Sequence, residues 1–364
     1  MKLKTVLVAP DKFKGSLTAE QFCEIAKDEI KKFDKDIEVI TCPLADGGEG
    51  SLDCFIKNLN AKTIQKKFTN ANFERIDACY AIKDDVAFIE CAETSGLLKT
   101  EFKNPLKTTT LGMGEQIFDA IKNGAKLIYL TLGGSATNDA GCGMAVGVGY
   151  KFFDEKGNEF IPTGGTLYEI KKITFPQNIK NVKFIALCDV KNVLYGKTGA
   201  AFVYAKQKGA TDDDIVLLDK NLQAFNSICK SYGHDFTFVE GAWAAGGLGA
   251  GAMFFLNAQL KSGVETFFNL VDIESKIKRA DLVITGEGKI DSQSKFGKVV
   301  YSLKEKCGSK NFVAFCGVNN SKENAFEIVS INDENLSLEE NIKNTEINLR
   351  KNLQKYLKKY LKNW

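Results

Sequence analysis

The sequence predicts an α/β fold with a largely parallel sheet, and two observations carry this prediction. Short bounded runs of apolar residues rich in Val and Ile recur along the chain, and such runs are typical of buried strands. Amphipathic helical patterns lie between several of them, and alternating strands and helices favour parallel pairing. The predicted strands are residues 5–9, 37–42, 86–91, 127–132, 184–188, 282–285 and 312–316.

Three helices can be placed from their own signals. Thr18, with Gln21 three residues later, forms a capping box, and the apolar residues that follow fall on one helical face. A second helix is predicted after Ser51. Residues 341–364 carry Leu and Tyr on one face and Lys elsewhere. We expect this last helix to dock on the core with its lysines in solvent rather than to lie on a membrane.

The length of 364 residues exceeds the roughly 100 to 200 residues of one ordinary domain, so two domains are expected. The first two strands and the last three, around Ile284, Ala314 and Ile328, are predicted to form one open sheet. The stretch between them has its own strands and glycine loops. We therefore predict a discontinuous domain of residues 1–67 and 269–364, with an inserted α/β domain of residues 68–268.

Composition excludes several classes of protein. His234 is the only histidine, so a histidine-rich zinc site or a two-histidine proton relay is excluded. The net charge of +3 and the presence of only three arginines (Arg75, Arg279, Arg350) argue against a nucleic-acid partner. The ten cysteines include no Cys-x-x-Cys pair, which predicts free thiols in a reducing compartment. With no signal-like segment and no apolar run of about 18 residues, we predict a cytoplasmic protein without a membrane partner.

Several predicted strands end in an acidic residue followed by glycine or small polar residues. These strand ends are Asp11-Lys12-Phe13-Lys14-Gly15-Ser16, Asp46-Gly47-Gly48-Glu49-Gly50-Ser51, Glu93-Thr94-Ser95-Gly96, Asp189, and Gly286-Glu287-Gly288. In open α/β sheets, ligands bind at the carboxyl ends of the strands. Glycine lets backbone N–H groups approach an anion, so residues 46–51 fit a phosphate or carboxylate cradle. A tight strand-to-helix turn without a ligand is the alternative.

A second glycine loop follows the predicted strand at residues 127–132. It reads Gly133-Gly134-Ser135-Ala136-Thr137-Asn138-Asp139 and offers several donors and one candidate metal ligand, so ligand contact is predicted. For the following Gly141, Gly143 and Gly147 we favour close helix packing, because a glycine inside a helix costs about 1 kcal/mol relative to alanine.

Known nucleotide-binding fingerprints mostly fail in this sequence. Gly196-Lys197-Thr198 resembles the end of a P-loop, but Lys191 stands where the first glycine is required. The His-Arg-Asp of protein kinases is missing. Residues 247–252 fit the loose dinucleotide pattern, yet they do not follow a strand directly. We interpret that run as a flexible glycine loop over a ligand, with an interdomain hinge as the alternative.

Isolated polar side chains complete the set of candidates. Asp189 ends a buried strand, where a carboxylate is costly unless it is used, so a general base or a Mg²⁺ ligand is predicted and a capped turn is the alternative. Lys14, Lys107, Lys208 and Lys298 lie beside glycine or threonine, and His234 receives no role. Acids, glycine loops and lysines together indicate phosphoryl transfer. A dinucleotide-dependent oxidoreductase and a non-catalytic anion-binding module are the rival hypotheses.

Six blocks of the chain, in order, resemble the motifs of the type I glycerate kinase family. They are residues 9–19 (Ala-Pro-Asp-Lys-Phe-Lys-Gly-Ser-Leu-Thr-Ala), 45–50 (Ala-Asp-Gly-Gly-Glu-Gly), 133–139, 207–210 (Gln-Lys-Gly-Ala), 244–247 (Ala-Ala-Gly-Gly) and 285–294 (Thr-Gly-Glu-Gly-Lys-Ile-Asp-Ser-Gln-Ser). The resemblance covers residues from about 5 to about 318. It implies ATP-dependent, Mg²⁺-assisted phosphorylation of D-glycerate, with 2-phosphoglycerate favoured over 3-phosphoglycerate as the product. It also implies two α/β domains, a Rossmann- or flavodoxin-like sheet in the first, and an active site in the cleft between them.

Carried over block by block, the resemblance implies the following roles. The catalytic candidates are Asp189, Asp46, Lys14 and Asp11, with Asp189 the first choice to orient or deprotonate the attacking hydroxyl. Candidate contacts to substrate or phosphate are Ser16, Gly47, Gly48, Glu49, Gly133, Gly134, Ser135, Thr137, Asn138, Lys208, Gly246, Gly247, Gly286 and Gly288. Candidate metal ligands are Asp139, Glu287 and Asp291, with Asp46 also able to hold Mg²⁺.

The chain departs from the family pattern in two loops. It has Asn192-Val193-Leu194 where the family often has Asn-Pro-Leu, and Ala205-Lys206 where a Gly-Pro often precedes the Gln-Lys-Gly. The absence of these prolines loosens the loops without removing a donor. The lysine-rich segment after about residue 335 matches no motif. The expected partners are D-glycerate and ATP, in a monomer or homodimer.

Overall fold

The computed structural model describes residues 3–177, 179, 181–189, 194–291, 299–321 and 325–361. Lys191, Asn192, Val193, the Ser292-Gln293-Ser294 end of the last motif and Lys298 lie outside these residues. The strands are β1 Thr5–Val8, β2 Glu38–Thr41, β3 Lys62–Thr69, β4 Arg75–Lys83, β5 Val86–Glu90, β6 Leu127–Thr131, β7 Lys151–Phe153, β8 Glu159–Phe160, β9 Lys172–Thr174, β10 Lys183–Leu187, β11 Gln259–Lys261, β12 Leu282–Ile290, β13 Asn311–Asn319 and β14 Glu327–Ser330.

The α-helices are α1 Ala19–Phe33, α2 Ser51–Leu59, α3 Cys91–Ser95, α4 Leu111–Lys122, α5 Cys142–Gly147, α6 Ala200–Tyr204, α7 Asp212–Ser231, α8 Ala244–Leu256, α9 Gly263–Leu270, α10 Ile273–Arg279, α11 Val299–Cys307, α12 Leu338–Lys343 and α13 Thr345–Leu361. Short 3₁₀ turns span Leu167–Glu169 and Lys206–Lys208. Strands β1, β2, β5, β6, β10, β12 and β13 correspond to the seven predicted strands, which confirms the predicted α/β class.

The chain divides into two compact units, the first being Met1–Asp46, Lys57–Leu59 and Val264–Trp364, and the second Gly47–Ile56 and Asn60–Gly263. These divisions differ from the predicted limits at 67/68 and 268/269. One reason is that β3 pairs with β4 along its whole length, from Lys62 with Ile82 to Thr69 with Arg75, so residues 62–67 pack in the second unit. The limits of independently folding domains stay a prediction.

The first unit contains a five-stranded parallel sheet in the order β14-β13-β12-β1-β2. Numbered along the chain within this sheet, the order is 2-1-3-4-5 read from the opposite edge, which is the flavodoxin-like arrangement. The strand order therefore reverses between β1 and β12. Open α/β sheets bind ligands at that point, beyond the carboxyl ends of the strands.

Helices cover this sheet as their sequence predicts. Thr18 caps α1 by accepting from the Gln21 amide at 3.1 Å, while the Gln21 side chain accepts from the Thr18 amide at 2.9 Å. Helix α13 docks on the core through Leu349, Leu353 and Leu357, which are buried, and this confirms the expected packing of the C-terminal helix. None of the described helices combines the length and the apolar character needed to cross a membrane.

The second unit is built on a six-stranded sheet in the order β11-β10-β6-β5-β4-β3. Strands β11, β10, β6 and β5 are parallel, while β4 and β3 run antiparallel at one edge. A small antiparallel sheet, β8-β7-β9, lies in the same unit. Strands β10, β6 and β5 were predicted. Strand β11, the β3–β4 hairpin and the small sheet were not, since their strands are exposed at many positions and lack continuous apolar runs.

The glycines of the second unit are mostly packing residues. A Cβ on Gly147 would lie 2.5 Å from the Gly114 carbonyl carbon, and one on Gly143 would lie 2.7 Å from the Leu111 nitrogen. This agrees with the packing explanation for Gly143 and Gly147. The predicted flexible loop at residues 247–252 is wrong for residues 248–252, which lie in the helical part of α8, where a Cβ on Gly251 would meet the Ala140 backbone. Gly247 is buried and belongs to a kink within α8, where Ala245, Gly246 and Gly247 have non-helical backbone angles.

Candidate active site

The first group of candidate residues lies at the switch point of the five-stranded sheet. Beyond β1, the Asp11 amide donates to the Gly286 carbonyl at 2.8 Å, so the turn after β1 stays against β12. The Thr285 hydroxyl donates to the Ala9 carbonyl at 2.7 Å and strengthens the same attachment. Asp11 and Glu287 are thereby held at the position where flavodoxin-like sheets bind ligands.

Three acidic residues lie near the switch point between β1 and β12. Glu287 is buried, and Asp11 and Asp46 are partly buried. Burial raises the pKa of Asp11, and the negative charges of Asp46 and Glu287 raise it further, although the Lys12 amide donates to Asp11 at 2.7 Å and lowers it. Because the charges of Asp46 and Glu287 disfavour ionisation of Asp11, a cation placed beside Asp11 would be stabilised.

These carboxylates fit Mg²⁺ held jointly with phosphate oxygens. Among the described residues, no three His, Cys, Asp or Glu side chains form a group able to hold a metal ion alone. Mg²⁺ commonly uses one or two carboxylates together with water and substrate phosphates, which does not require such a group. Asp291, also a candidate ligand, forms an ion pair with Lys289 at 2.9 Å.

The remaining candidates of this unit flank the acids. Lys14 is exposed, and a Cβ on Gly288 would lie 3.3 Å from its amide nitrogen, so these two backbones are close. The Ser16 hydroxyl donates to the Phe13 carbonyl at 3.2 Å within a tight turn. A Cβ on Gly286 would lie 2.6 Å from the Phe315 carbonyl, so packing alone explains that glycine.

The second group of candidates lies at the carboxyl end of the parallel strands in the second unit. Here the loop of residues 47–50 (the Gly47 loop) leads into α2. Gly47 and Gly50 have φ values of 85° and 83°, which favour glycine. The Ser51 hydroxyl donates to the Gly48 carbonyl at 2.6 Å and closes the loop.

A buried carboxylate that sequence analysis missed holds this loop. Glu90, the last residue of β5, is 3% exposed. Its Oε1 accepts from the Gly50 amide at 2.9 Å, and its Oε2 accepts from the Leu52 amide at 2.8 Å. The signal was available, since Glu90 ends a buried apolar run as Asp189 does.

The loop of residues 133–139 packs on the Gly47 loop. A Cβ on Gly133 would lie 2.6 Å from the Gly48 Cα, and the Gly133 amide donates to the Gly47 carbonyl at 3.4 Å. Gly134 has a φ of 79°. The two glycine loops that the sequence singled out are therefore in backbone contact, which only residues without a Cβ allow at this distance.

Lys208 enters the same region from the 3₁₀ turn that follows α6. It is 2% exposed, and its Nζ donates to the Ser135 hydroxyl at 3.1 Å and to the Thr137 carbonyl at 2.6 Å. Burial lowers the pKa of Lys208 to about 8, and the negative charge of Asp139 opposes that shift. Among the described residues Lys208 forms no ion pair with a carboxylate, although buried lysines are ordinarily paired.

Asp139 is fully buried and accepts hydrogen bonds mainly from backbone amides. Its Oδ2 accepts from the amide and hydroxyl of Thr110, each at 2.8 Å, and from the Gly143 amide at 3.2 Å, while Oδ1 accepts from the Gly141 amide at 3.2 Å. Burial raises the pKa of Asp139, and the bonds from Thr110 partly offset this. Its oxygens are thus engaged by protein donors, and its role as a metal ligand stays a prediction.

Thr137 and Asn138 are fully buried in the described structure. The Thr137 hydroxyl and both polar atoms of the Asn138 amide have no hydrogen-bond partner among the described residues. A Cβ on Gly246 would lie 2.7 Å from the Asn138 Cα, and one on Gly247 would lie 3.2 Å from the Ala140 Cα. Close packing against this loop explains both glycines, and their predicted ligand contact stays a prediction.

Asp189 follows β10 at the same edge of the six-stranded sheet. Its Oδ1 accepts from the Ser262 hydroxyl at 2.6 Å and from the Gly263 amide at 3.1 Å, both just beyond β11. A Cβ on Gly47 would lie 3.2 Å from the Leu187 Cβ and 3.4 Å from the Gly263 Cα. The structure thus brings Asp189, the Gly47 loop, residues 133–139 and Lys208 to one sheet edge. Ser262, which orients Asp189, carried no sequence signal.

Acidic groups at a flavodoxin-like switch point, together with glycine loops and a buried lysine at the strand ends of the second unit, are features expected of the phosphotransferase class. Comparison with known proteins names its family. The family model described as the Glycerate kinase family matches residues 6–361, so the chain belongs to the glycerate kinase family and is a kinase. This confirms the resemblance found in the sequence.

Similar proteins agree with this assignment. The chain is 40% identical to the glycerate kinase of Bacillus cereus over 309 residues, which cover 83% of this chain and 81% of that protein. It is 39% identical to the glycerate 2-kinase of Escherichia coli K12 over 302 residues, covering 81% and 79%. A crystal structure assigned as glycerate kinase 2 from Salmonella typhimurium LT2 aligns with a TM-score of 0.84 at 31% identity, covering 100% of this chain and 99% of that one.

Proposed function

We propose that this kinase transfers the γ-phosphoryl group of ATP to the 2-hydroxyl of D-glycerate, giving 2-phosphoglycerate and ADP with the assistance of Mg²⁺. Membership of the glycerate kinase family supports the substrate, and the similar Escherichia coli protein is named for the 2-position. The observation that carries the proposal is the buried Lys208 ammonium, which forms no ion pair with a carboxylate of the described chain. An anionic substrate would supply the missing negative charge.

Glycerate binding is assigned to the second unit. Its carboxylate would accept from Lys208 and from backbone amides of the glycine loop around Gly133 and Gly134. Charge-assisted hydrogen bonds of this kind are about twice as strong as neutral ones. Ser135, which already accepts from Lys208, would keep the ammonium aimed at the ligand.

Asp189 is assigned to the attacking hydroxyl. The bonds from Ser262 and Gly263 occupy Oδ1 and fix the orientation of the carboxylate. In the proposed step the 2-hydroxyl oxygen forms a bond to the γ-phosphorus while the bond from that phosphorus to the bridging oxygen of ADP breaks. The hydroxyl proton passes to Asp189, and ADP leaves with the electron pair of the broken bond.

Asp11, Asp46, Glu287 and Asp291 are assigned to the phosphates of ATP together with Mg²⁺, and Lys14 to their remaining charge. The raised pKa of Asp11 supports this assignment, because a nearby cation favours the ionised form of a carboxyl whose pKa is raised by burial and by neighbouring carboxylates. When bound, Mg²⁺ supplies neutralisation of the phosphate oxygens. The protein side chains hold and orient that charge, which is most of what catalysis of phosphoryl transfer requires.

A coupled assay of ADP release tests the proposal. With ATP and D-glycerate we expect ADP release that requires Mg²⁺, and ³¹P NMR of the product should show 2-phosphoglycerate. A product phosphorylated at the 3-position would refute the regiochemistry alone. Absence of ADP release, with NAD(P)H oxidation or reduction in its place, would support an oxidoreductase, and thermal stabilisation by glycerate without turnover would support a binding module.

A further inference from the structure

Helix α2 begins without a capping side chain of its own. Its N-cap is Gly50, which has a φ of 83° and no side chain with which to accept hydrogen bonds. The first amides of a helix have no partner within the helix, so they need acceptors from elsewhere. Glu90 supplies these acceptors from the neighbouring β5, with one carboxylate oxygen for Gly50 and the other for Leu52.

This arrangement reproduces within the chain the binding of an anion at a helix N-terminus. The carboxylate oxygens lie 2.9 and 2.8 Å from amide nitrogens at the positive end of α2. The charge of Glu90 therefore occupies the place where the sequence pattern of residues 46–51 predicts a phosphate. One amide of that predicted cradle, Gly50, and the adjacent Leu52 amide attach the Gly47 loop to Glu90.

The attached loop connects several parts of the glycerate site proposed above. Gly48 packs under Gly133, where a Cβ would lie 2.6 Å from the Gly48 Cα. Gly47 lies against Leu187 and Gly263, the residues that precede and orient Asp189. A shift of the Gly47 loop would therefore displace both the anion-binding loop and the proposed base.

We propose that Glu90 is the positioning residue of the glycerate site: it fixes the Gly47 loop through the Gly50 and Leu52 amides without touching the substrate. This inference rests on the proposed function for the identity of the substrate. It predicts that loss of the Glu90 charge weakens the use of glycerate much more than the use of ATP, because Asp11 and Glu287, which are assigned to ATP, are held by β1 and β12 and not by the Gly47 loop.

The test compares Glu90→Gln with a matched control, Glu115→Gln. Glu115 is also a carboxylate of the second unit that accepts from a backbone amide, that of Thr69 at 2.8 Å, but it holds β3 and not the Gly47 loop. With folded proteins, Glu90→Gln should lower kcat/KM for glycerate by about 10- to 100-fold, the range expected for charge-assisted hydrogen bonds. The KM for ATP should stay within about twofold, and Glu115→Gln should leave both parameters near wild type.

Amide hydrogen exchange, measured by NMR, reports on the hydrogen bonds from Gly50 and Leu52 to Glu90 independently of activity. Exchange at Gly50 and Leu52 should be at least about tenfold faster in Glu90→Gln and unchanged in Glu115→Gln. If Glu90→Gln does not fold, Glu90→Asp retains the charge with a shorter reach and should show the same pattern more weakly.

Three outcomes would overturn the positioning role: wild-type kcat/KM for glycerate in the folded Glu90 variants, equal effects on glycerate and ATP, or unchanged exchange at Gly50 and Leu52. The proposed function fails separately. If the wild-type enzyme released no ADP with glycerate, while exchange at Gly50 and Leu52 still depended on Glu90, the substrate assignment would fall and the attachment of the loop would stand.

Discussion

Replacement of Lys208 by methionine separates the stability of the protein from its activity. Burial lowers the pKa of Lys208 from 10.5 to about 8. At about 1.4 kcal/mol per pH unit, keeping this buried lysine charged at pH 7 costs about 3 kcal/mol of folding stability. Methionine removes that cost and loses the bonds to Ser135 and Thr137, worth about 1 kcal/mol each. We therefore expect Lys208→Met to be more stable than wild type by about 1 kcal/mol at pH 7.

The pH dependence of this difference tests its origin. Between pH 8 and 10.5 the unfolded chain binds the Lys208 proton while the folded protein has released it, so wild-type stability rises with pH. The methionine variant lacks this contribution, and its advantage should shrink and change sign near about pH 9. Urea unfolding of both proteins at pH 7, 8, 9 and 10 measures the difference directly.

Kinetics complete the experiment. Because the variant keeps its fold but loses the cation proposed to receive the substrate carboxylate, its kcat/KM for glycerate should fall by about 100-fold. A Lys208→Met protein that is less stable than wild type by the same amount at every pH would refute the argument from burial. A variant with wild-type kcat/KM would remove Lys208 from the glycerate site.

Three further predictions concern the other candidate residues. Asp189→Asn should lower kcat by about 10²- to 10⁴-fold with little change in Tm, measured by steady-state kinetics and calorimetry, and unchanged kcat would exclude a general base there. Asp46→Asn removes a charge that raises the pKa of Asp11, so any acid limb of the kcat/KM profile set by Asp11 should move to lower pH. Gly133→Ala places a methyl group 2.6 Å from the Gly48 Cα and should destabilise the protein by about 1–3 kcal/mol in urea unfolding, whereas an unchanged midpoint would refute the packing argument.

The sequence predicted the parts of the fold that carry a local signal. The parallel strands are continuous apolar runs because both faces of those strands are buried, and the capping box at Thr18 reports the start of α1 without reference to the rest of the chain. Strand β3 has no such signal, since six of its eight residues are at least partly exposed and its pairing with β4 is a non-local interaction.

The candidate site likewise contains residues that a local sequence signal predicts and residues whose role depends on distant parts of the chain. Asp11, Asp46 and Glu287 were predicted to lie at strand ends where ligands bind, and the charges of Asp46 and Glu287 do raise the pKa of Asp11. Glu90 ends a buried apolar run, which marks it as a buried carboxylate, but its partners could not be predicted because they depend on α2, 40 residues earlier, lacking a capping side chain of its own. The glycines near residue 250 were misread as a loop, since glycine content indicates close packing and flexibility equally.

The distribution of arginine explains why the proposed site depends on lysine and backbone amides. Arg75 pairs with Glu115, Arg279 with Glu38, and Arg350 with Glu29, so all three guanidinium groups take part in ion pairs with residues that are not assigned to the site. An arginine in place of Lys208 would stay charged at any physiological pH. A buried lysine with a pKa of about 8 loses its proton only slightly above neutral pH. An anion beside it would raise that pKa again. In the proposed site, substrate binding would therefore stabilise the charge that binds it.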